Sequence, residues 1–309
     1  MEILRVLVTG GAGFIGSHLI KALVKAGHQV RVLDNLSTGS IENLADVLNA
    51  IEFVRGDVRD YGAVEYTVRG VDAVVHLAAL IDVAESVEKP DLYFDVNVKG
   101  TYNVTKASRN IGIFVFASSS AVYGEPIRVP ISEDHPLMPR SPYAASKVSG
   151  EAFVNAFAAQ YGFRSIVLRF FNVYGPKQSR AYAGVISEFI RRVSKGEPLI
   201  IFGDGEQTRD FVHVSDIVNA IMISLKNEEA RGVFNIGSGE AITINQLARL
   251  IIKMAGKEDL KLIYESSRPG DIKYSVVDIT RAKKELGFEP KIKLELGIKE
   301  LLKNYKDTA

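Results

Sequence analysis

The sequence predicts a doubly wound parallel α/β (Rossmann) sheet followed by a smaller mixed α/β unit. Three observations support this. An apolar strand breaks at the N-terminus into a glycine turn and then an amphipathic helix; strand and helix patterns alternate to about residue 170; and shorter, more irregular elements take over from Gly175. The expected division is residues 1–170 and 171–309, with a segment at about 210–238 returning to the first unit.

Residues 3–8 are apolar apart from Arg5 and read as the first strand. Thr9-Gly10-Gly11-Ala12-Gly13-Phe14-Ile15-Gly16 follows and leads into an amphipathic stretch at 17–26. Glycines 11, 13 and 16 fit the dinucleotide fingerprint: one for the tight turn, one for close approach of a pyrophosphate, one for packing helix on strand. The start of the helix, at Phe14 and Ile15, offers N–H donors that have no partner inside the helix. The second strand, 29–33, ends at Asp34, where a carboxylate can accept hydrogen bonds from ribose hydroxyls and repels a 2′-phosphate, so NAD is favoured over NADP.

Beyond Asp34, Asn35 and Ser37 are within reach of the ribose or its phosphate and equally suit a polar turn with Thr38 and Gly39. Asp57-Val58 follows the strand 51–55, where an adenine edge or an ordinary loop are even readings. Strand 71–77 ends in His76-Leu77-Ala78-Ala79; the small residues would let a cofactor backbone approach, and His76 reads as structural. Helices at 63–69 and 91–110 and a strand at 113–118 continue the alternation. A helix at 141–161, a strand at 165–170, and helices near 185–195, 215–225 and 294–304 complete it, with Gly- and Asp-rich loops at 203–205.

The 141–161 helix begins Ser141-Pro142-Tyr143-Ala144-Ala145-Ser146-Lys147, a serine cap followed by proline that stacks Tyr143 under Lys147. A free phenol titrates near ~10 and is a poor base at neutral pH. An ammonium at roughly 6 Å, with an effective dielectric of about 20, would lower it by on the order of two units.

Composition narrows the function classes. A formal net charge of +1 over 309 residues gives no long-range pull on nucleic acid or an anionic membrane, and no apolar run is long enough to span a bilayer. Met1 leads straight into the first strand, so the expectation is a cytoplasmic protein without a signal peptide. With no cysteine, thiolate catalysis and sulfur-ligated metals are excluded, and His18, His28, His76, His135 and His213 show no metal-ligand spacing.

Taken together, TGGAGFIG (9–16), DNLSTG (34–39), HLAA (76–79), SSSAVYG (118–124), Tyr143 with Lys147, RFFNVYGP (169–176), GDGEQTRDFVHVSD (203–216) and RPGD (268–271) stand in the order of the extended short-chain dehydrogenase/reductase superfamily. The chain resembles in particular its UDP-hexose 4-epimerases, over nearly its whole length. The resemblance implies Ser119, Tyr143 and Lys147 as catalytic residues. It also places Asn97 and Ser118 with Gly10, Gly13, Phe14, Ile15, Gly16, Asp34, Asn35, Ser37, Thr38, Gly39, Asp57, Val58, Leu77, Ala78, Ala79, Tyr143 and Lys147 around NAD, Lys147 at the nicotinamide ribose, and Ser119 at the sugar O4. For the UDP-hexose it implies Asn172, Leu199 within the segment 198–202, Arg209, Arg268 and Asp271.

Relatives that eliminate water or decarboxylate carry acidic residues directly after the catalytic hydroxyl, and this chain has Ser120 and Ala121. Simple epimerisation through a 4-keto sugar is therefore the implied reaction. Seven residues after Arg268 the family places a gate beside the sugar C2 substituent; here it is Ser275, small enough for an acetamido group, while a slip of one residue would put Tyr274 there and close it. The resemblance also implies a homodimer paired through the helices at 91–110 and 141–161. The rival readings are a UDP-glucuronate 4-epimerase, a dehydratase-like relative, and a non-catalytic NAD-binding sensor.

Overall fold

The computed structural model describes residues 3–178, 184–267 and 272–308. Its central sheet follows from the apolar runs. β1 (Arg5–Thr9), β2 (Gln29–Asp34), β3 (Ile51–Arg55), β4 (Ala73–His76), β5 (Ile113–Ser119), β6 (Arg164–Phe170) and β10 (Gly232–Ile236) form seven parallel strands in the order β10-β6-β5-β4-β1-β2-β3. Alternation of side chains assigns the two faces. Val6 and Val8 of β1, with Ile166 and Leu168 of β6, pack with Leu19, Ile20 and Leu23 of α1 (Phe14–Lys25) and with Ile217 and Ile221 of α8 (Val214–Lys226). Leu7, Phe114, Phe116 and Val167 face the other way, towards Val64 and Val68 of α2 (Tyr61–Val68), Val104 of α5 (Gly100–Ala107) and Val154 of α6 (Pro142–Tyr161).

The single helix expected at 91–110 is three segments: α4 (Pro90–Tyr93), a π-helical turn (Phe94–Lys99) and α5, preceded by α3 (Val83–Glu88). The widened turn carries Asn97, whose amide is drawn inward to the chain at Leu80.

Strand order reverses between β1 and β4, and open parallel sheets bind ligands above the carboxyl ends of the strands at that point. Over this edge lie β7 (Asn172–Tyr174), β9 (Thr208–His213) and β11 (Ala241–Thr243) as one small sheet, and β8 (Leu199–Phe202) with β12 (Leu262–Glu265) as another. Their own core is Ile186, Phe189, Ile190 and Val193 of α7 (Val185–Lys195), Leu247, Ile251 and Ile252 of α9 (Ile244–Ala255), and Ile298 and Leu302 of α10 (Leu294–Thr308), closed over Leu199 and Ile201. Among the described residues, no helix is long and apolar enough to cross a membrane.

Candidate active site

The glycine turn builds a cradle by close approach. Gly10 sits at φ +71°, and a Cβ there would meet Ala78 N at 2.7 Å, so its missing side chain makes room for the Leu77-Ala78 backbone. A Cβ on Gly16 would fall 2.3 Å from Gly10 O, which is the tight packing of helix on strand expected of it, whereas a Cβ on Gly13 meets Gly10 O alone, at 3.2 Å. Helix α1 starts at Phe14 with no side-chain cap and no acidic residue in its first turn, so its N–H groups and dipole are left for an anion. Ile15, in the same first turn, packs against the first core.

Asp34, buried at the end of β2, accepts from Ala12 N at 2.9 Å and Leu36 N at 2.8 Å, which fixes its carboxylate beside the turn. Asn35 donates to Asp57 at 2.8 Å and accepts from Ser37 N; Ser37 and Thr38 are exposed, and Gly39 packs against the Ala12 backbone. Asp57 is held down to about 2, chiefly by the paired hydrogen bonds of Arg59. A dinucleotide fits these residues: free donors at the helix start, a fixed carboxylate at the second strand, and backbone that a Cβ would obstruct.

Three residues of the expected cofactor set are otherwise engaged. Val58 buries its side chain in the core against Gly100, while its carbonyl accepts from Asn103. Asn97 spends both amide hydrogens on Leu80 O and Ser146 Oγ, so it ties loop to helix. The Ser118 hydroxyl donates to Glu151. Leu77, Ala78 and Ala79 are half-buried at the end of β4, with Ala78 N donating to Thr9 Oγ1. His76 is structural, bonded to Thr9 at 2.6 Å and Thr101 at 3.0 Å, and burial pushes it down to about 3.

Helix α6 begins as its sequence dictates: Ser141 caps Ala144 N at 3.1 Å and Pro142 takes the first position. A Cβ on Gly150 would lie 2.5 Å from Phe116 Cζ, so this glycine lets α6 settle onto β5. Settled there, Lys147 Nζ donates to Ala117 O at 2.8 Å and stands 5.2 Å from the centre of the Phe116 ring. The next residue but one of β5, Ser119, accepts from Ala121 N at 3.2 Å, and its hydroxyl lies beside the Tyr143 phenol, where it favours the phenolate. Ser119, Tyr143 and Lys147 therefore converge at the carboxyl end of β5.

Burial pushes the Tyr143 phenol up and the Ser119 hydrogen bond draws it down. The lowering expected from Lys147 is not found, because that ammonium is turned to the Ala117 carbonyl. Lys147 itself is held down to about 8 by burial, against which Glu151 acts.

A second pocket, of about 260 Å³, is walled by Asn172, Gln178, Ile200, Phe202, Gln207 and Arg209. Asn172 and Arg209 are thus brought together, with Asn172 Nδ2 donating to Asp210 O at 2.8 Å and Arg209 Nη1 donating to Ile272 O at 2.7 Å. Leu199 is fully buried in the second core, while Ile200, Ile201 and Phe202 of the same strand line the pocket. Arg268 and Asp271 lie outside the described residues. Ser275 is buried, with its N–H to Thr208 O at 3.2 Å, while Tyr274 is 45% exposed.

Sequence reasoning missed Gln178 and Gln207, which carry no local signal, and Glu151, which stands eight residues after Tyr143 on one helix face and was legible by spacing. No group of three or more His, Cys, Asp or Glu that could hold a metal occurs among the described residues.

Against known proteins, the family model described as GDP-mannose 4,6 dehydratase matches residues 7–301. A protein described as a putative UDP-glucose 4-epimerase from Methanocaldococcus jannaschii is 42% identical over 304 residues, covering 96% of this chain and 97% of that protein. Among solved structures, a UDP-N-acetylglucosamine 4-epimerase from Methanobrevibacter ruminantium, in complex with UDP-N-acetylmuramic acid, superposes with a TM-score of 0.95 at 38% identity, covering 100% of both chains. A UDP-glucose 4-epimerase from Thermus thermophilus in complex with NAD superposes with a TM-score of 0.90 at 38% identity, covering 99% of this chain and 100% of that one.

Proposed function

The chain belongs to the GDP-mannose 4,6-dehydratase family, and from that premise we propose that it is an NAD-dependent 4-epimerase of UDP-hexoses, acting on UDP-glucose and UDP-galactose and on their N-acetyl counterparts. The observation that carries this reading is the convergence of Ser119, Tyr143 and a buried Lys147 at the carboxyl end of β5, next to Ser120 and Ala121 where a dehydratase needs carboxylates. NAD, when bound in the cradle, supplies the hydride acceptor and donor for the sugar C4. Tyr143 takes the O4 proton and later returns it, which requires its anion, and the Ser119 hydroxyl stabilises that anion and holds O4 beside it. Lys147 keeps a positive charge under the site.

Gly13, Phe14, Gly16 and Asp34 hold the dinucleotide, with Asn35, Ser37, Thr38, Gly39 and Asp57 around the ribose and adenine. Arg209 and Asn172, with Ile200 and Phe202 beside them, grip the UDP, because a guanidinium offers a pyrophosphate a planar fork of donors. A firm grip on the nucleotide leaves the 4-keto sugar free to turn and present its other face. Buried Ser275 is the gate that admits an acetamido group, and Tyr274 faces solvent.

The protein acts as a homodimer through α6 and the α3–α5 run. The outward positions of α6 include Ala145, Ala152, Ala156 and Ala159, and Ile81, Val83, Val87 and Phe94 stand exposed alongside, an apolar face that a second copy would cover. Sedimentation at micromolar concentration is expected to give twice the chain mass, and a monomer there removes the assignment. The reaction is tested by incubating the purified protein with UDP-glucose and UDP-N-acetylglucosamine and resolving the products by NMR. The 4-epimers are expected; bound NAD with no turnover of either sugar would leave only a nucleotide-binding role.

A further inference from the structure

Three successive residues of β5 engage three residues on one face of α6. Ala117 O receives Lys147 Nζ, the Ser118 hydroxyl donates to Glu151, and Ser119 meets Tyr143. Tyr143, Lys147 and Glu151 are spaced by four, so they stack along the helix, and the middle contact is the one that nothing in the proposed chemistry uses. Glu151 is also the most heavily anchored of the three. Arg169 of β6 grips both its oxygens, at 2.9 and 2.7 Å, and both side chains are 5% exposed.

Arg169 in turn donates to Tyr123 Oη at 2.8 Å and stands over that ring at 4.9 Å, while Tyr123 donates to Asn235 Oδ1 at 2.6 Å. The chain of contacts runs from β10 through β6 to the helix that carries the candidate base. An ion pair this deep is costly to bury, and its geometry is satisfied on every side, which is the pattern of a device that fixes position.

We propose that Glu151, clamped by Arg169 and one helical turn from Lys147, is a positioning residue for the Tyr143–Lys147 pair: it locks the register of α6 against the end of β5. This rests on the reading of Tyr143 and Lys147 as catalytic. The titratable groups around the ammonium are Tyr143 and Glu151 on its own helix, His76 from β4, Arg169 from β6 behind Glu151, and Tyr123 beside Arg169; the π-helical turn contributes neutral Asn97. His76, pushed down to about 3 by burial, stays uncharged, so Glu151 is the charged group that favours the Lys147 cation, whose own hydrogen bond goes to Ala117 O.

The sign of the pH effect follows. Burial already lowers Lys147 to about 8, and the Glu151 charge opposes that lowering, so removing the charge lets the proton leave at lower pH. In the full-length enzyme loaded with NAD, Glu151→Gln is expected to move the alkaline limb of kcat towards acid by about one pH unit, a tenfold change in the protonation constant, with KM for UDP-glucose within about twofold of wild type. Glu151→Asp, which retains the charge, is expected to restore the limb while turnover stays reduced.

If the unpaired guanidinium prevents Glu151→Gln from folding, Glu151→Gln combined with Arg169→Met carries the same measurement, and its limb is expected to move in the same direction. Gln and Asp variants that both keep the wild-type limb, and lose turnover only in step with their melting temperatures, would overturn the proposal. Tyr143→Phe, measured alongside, separates the two failures: if it abolishes turnover, only the role of Glu151 is lost, and if it turns over normally the catalytic reading falls first.

Discussion

Replacing Ser119 with alanine removes the hydroxyl that favours the Tyr143 anion against its burial. A buried hydrogen bond to a charged group contributes about 1.5–3 kcal/mol, and about 1.4 kcal/mol corresponds to one pKa unit, so the Tyr143 phenol should rise by about one to two units. The group works as its anion, so a higher pKa moves the rising limb of kcat to higher pH. At pH 7 turnover should then fall by about 10- to 100-fold, with much of the loss recovered as pH increases. Because Ser119 is not on the glycine cradle, NAD binding should change little. Ser119→Thr retains the hydroxyl and should return the limb towards its original position. The assay is the initial rate of 4-epimer formation across pH 6–10. A variant whose rate falls equally at every pH would refute the argument, because it would show that Ser119 acts on the substrate without adjusting the base.

Three further outcomes follow from the same geometry. Arg209→Ala should raise KM for UDP-glucose by more than about tenfold with kcat altered by less than about threefold, and the opposite split in steady-state kinetics would remove Arg209 from the nucleotide grip. Ser275→Tyr should reduce turnover of UDP-N-acetylglucosamine at least about tenfold while sparing UDP-glucose, whereas equal rates on both sugars would place the gate elsewhere. Gly16→Ala puts a methyl 2.3 Å from Gly10 O and 2.7 Å from Gly11 Cα, both backbone. It should destabilise the fold by about 1–3 kcal/mol, a fall of about 2–10 °C in Tm, and weaken NAD binding; an unchanged melting curve would contradict the packing.

What the sequence revealed depended on how far apart the interacting residues lie. The glycine turn, Asp34 and the Ser141–Lys147 helix start are each written within a few residues, where spacing alone decides geometry, and all stand at the carboxyl edge of the sheet. Within β8, the division between Leu199 in the core and Ile200, Ile201 and Phe202 on the pocket wall depends on how the strand packs, which the chain alone does not show. Internal partners of polar groups are likewise invisible in the chain: Asn97 and Ser118 bond to Leu80, Ser146 and Glu151. The Lys147 contact with Ala117, and the Arg169 grip on Glu151, need β5, β6 and α6 assembled, since these pairs are 30 and 18 residues apart. β10 falls within the segment at about 210–238 expected to return to the first unit, and it pairs with β6 in the main sheet.

The most direct test of the central claim, that a hydride leaves and returns to one sugar carbon with no elimination, is turnover of UDP-glucose in heavy water followed by proton NMR and mass analysis. The account predicts UDP-galactose carrying its original hydrogen at C4, no deuterium at C5 or C6, and no net NADH. Solvent deuterium at C5 or C6, or a product lighter by one water, would contradict it.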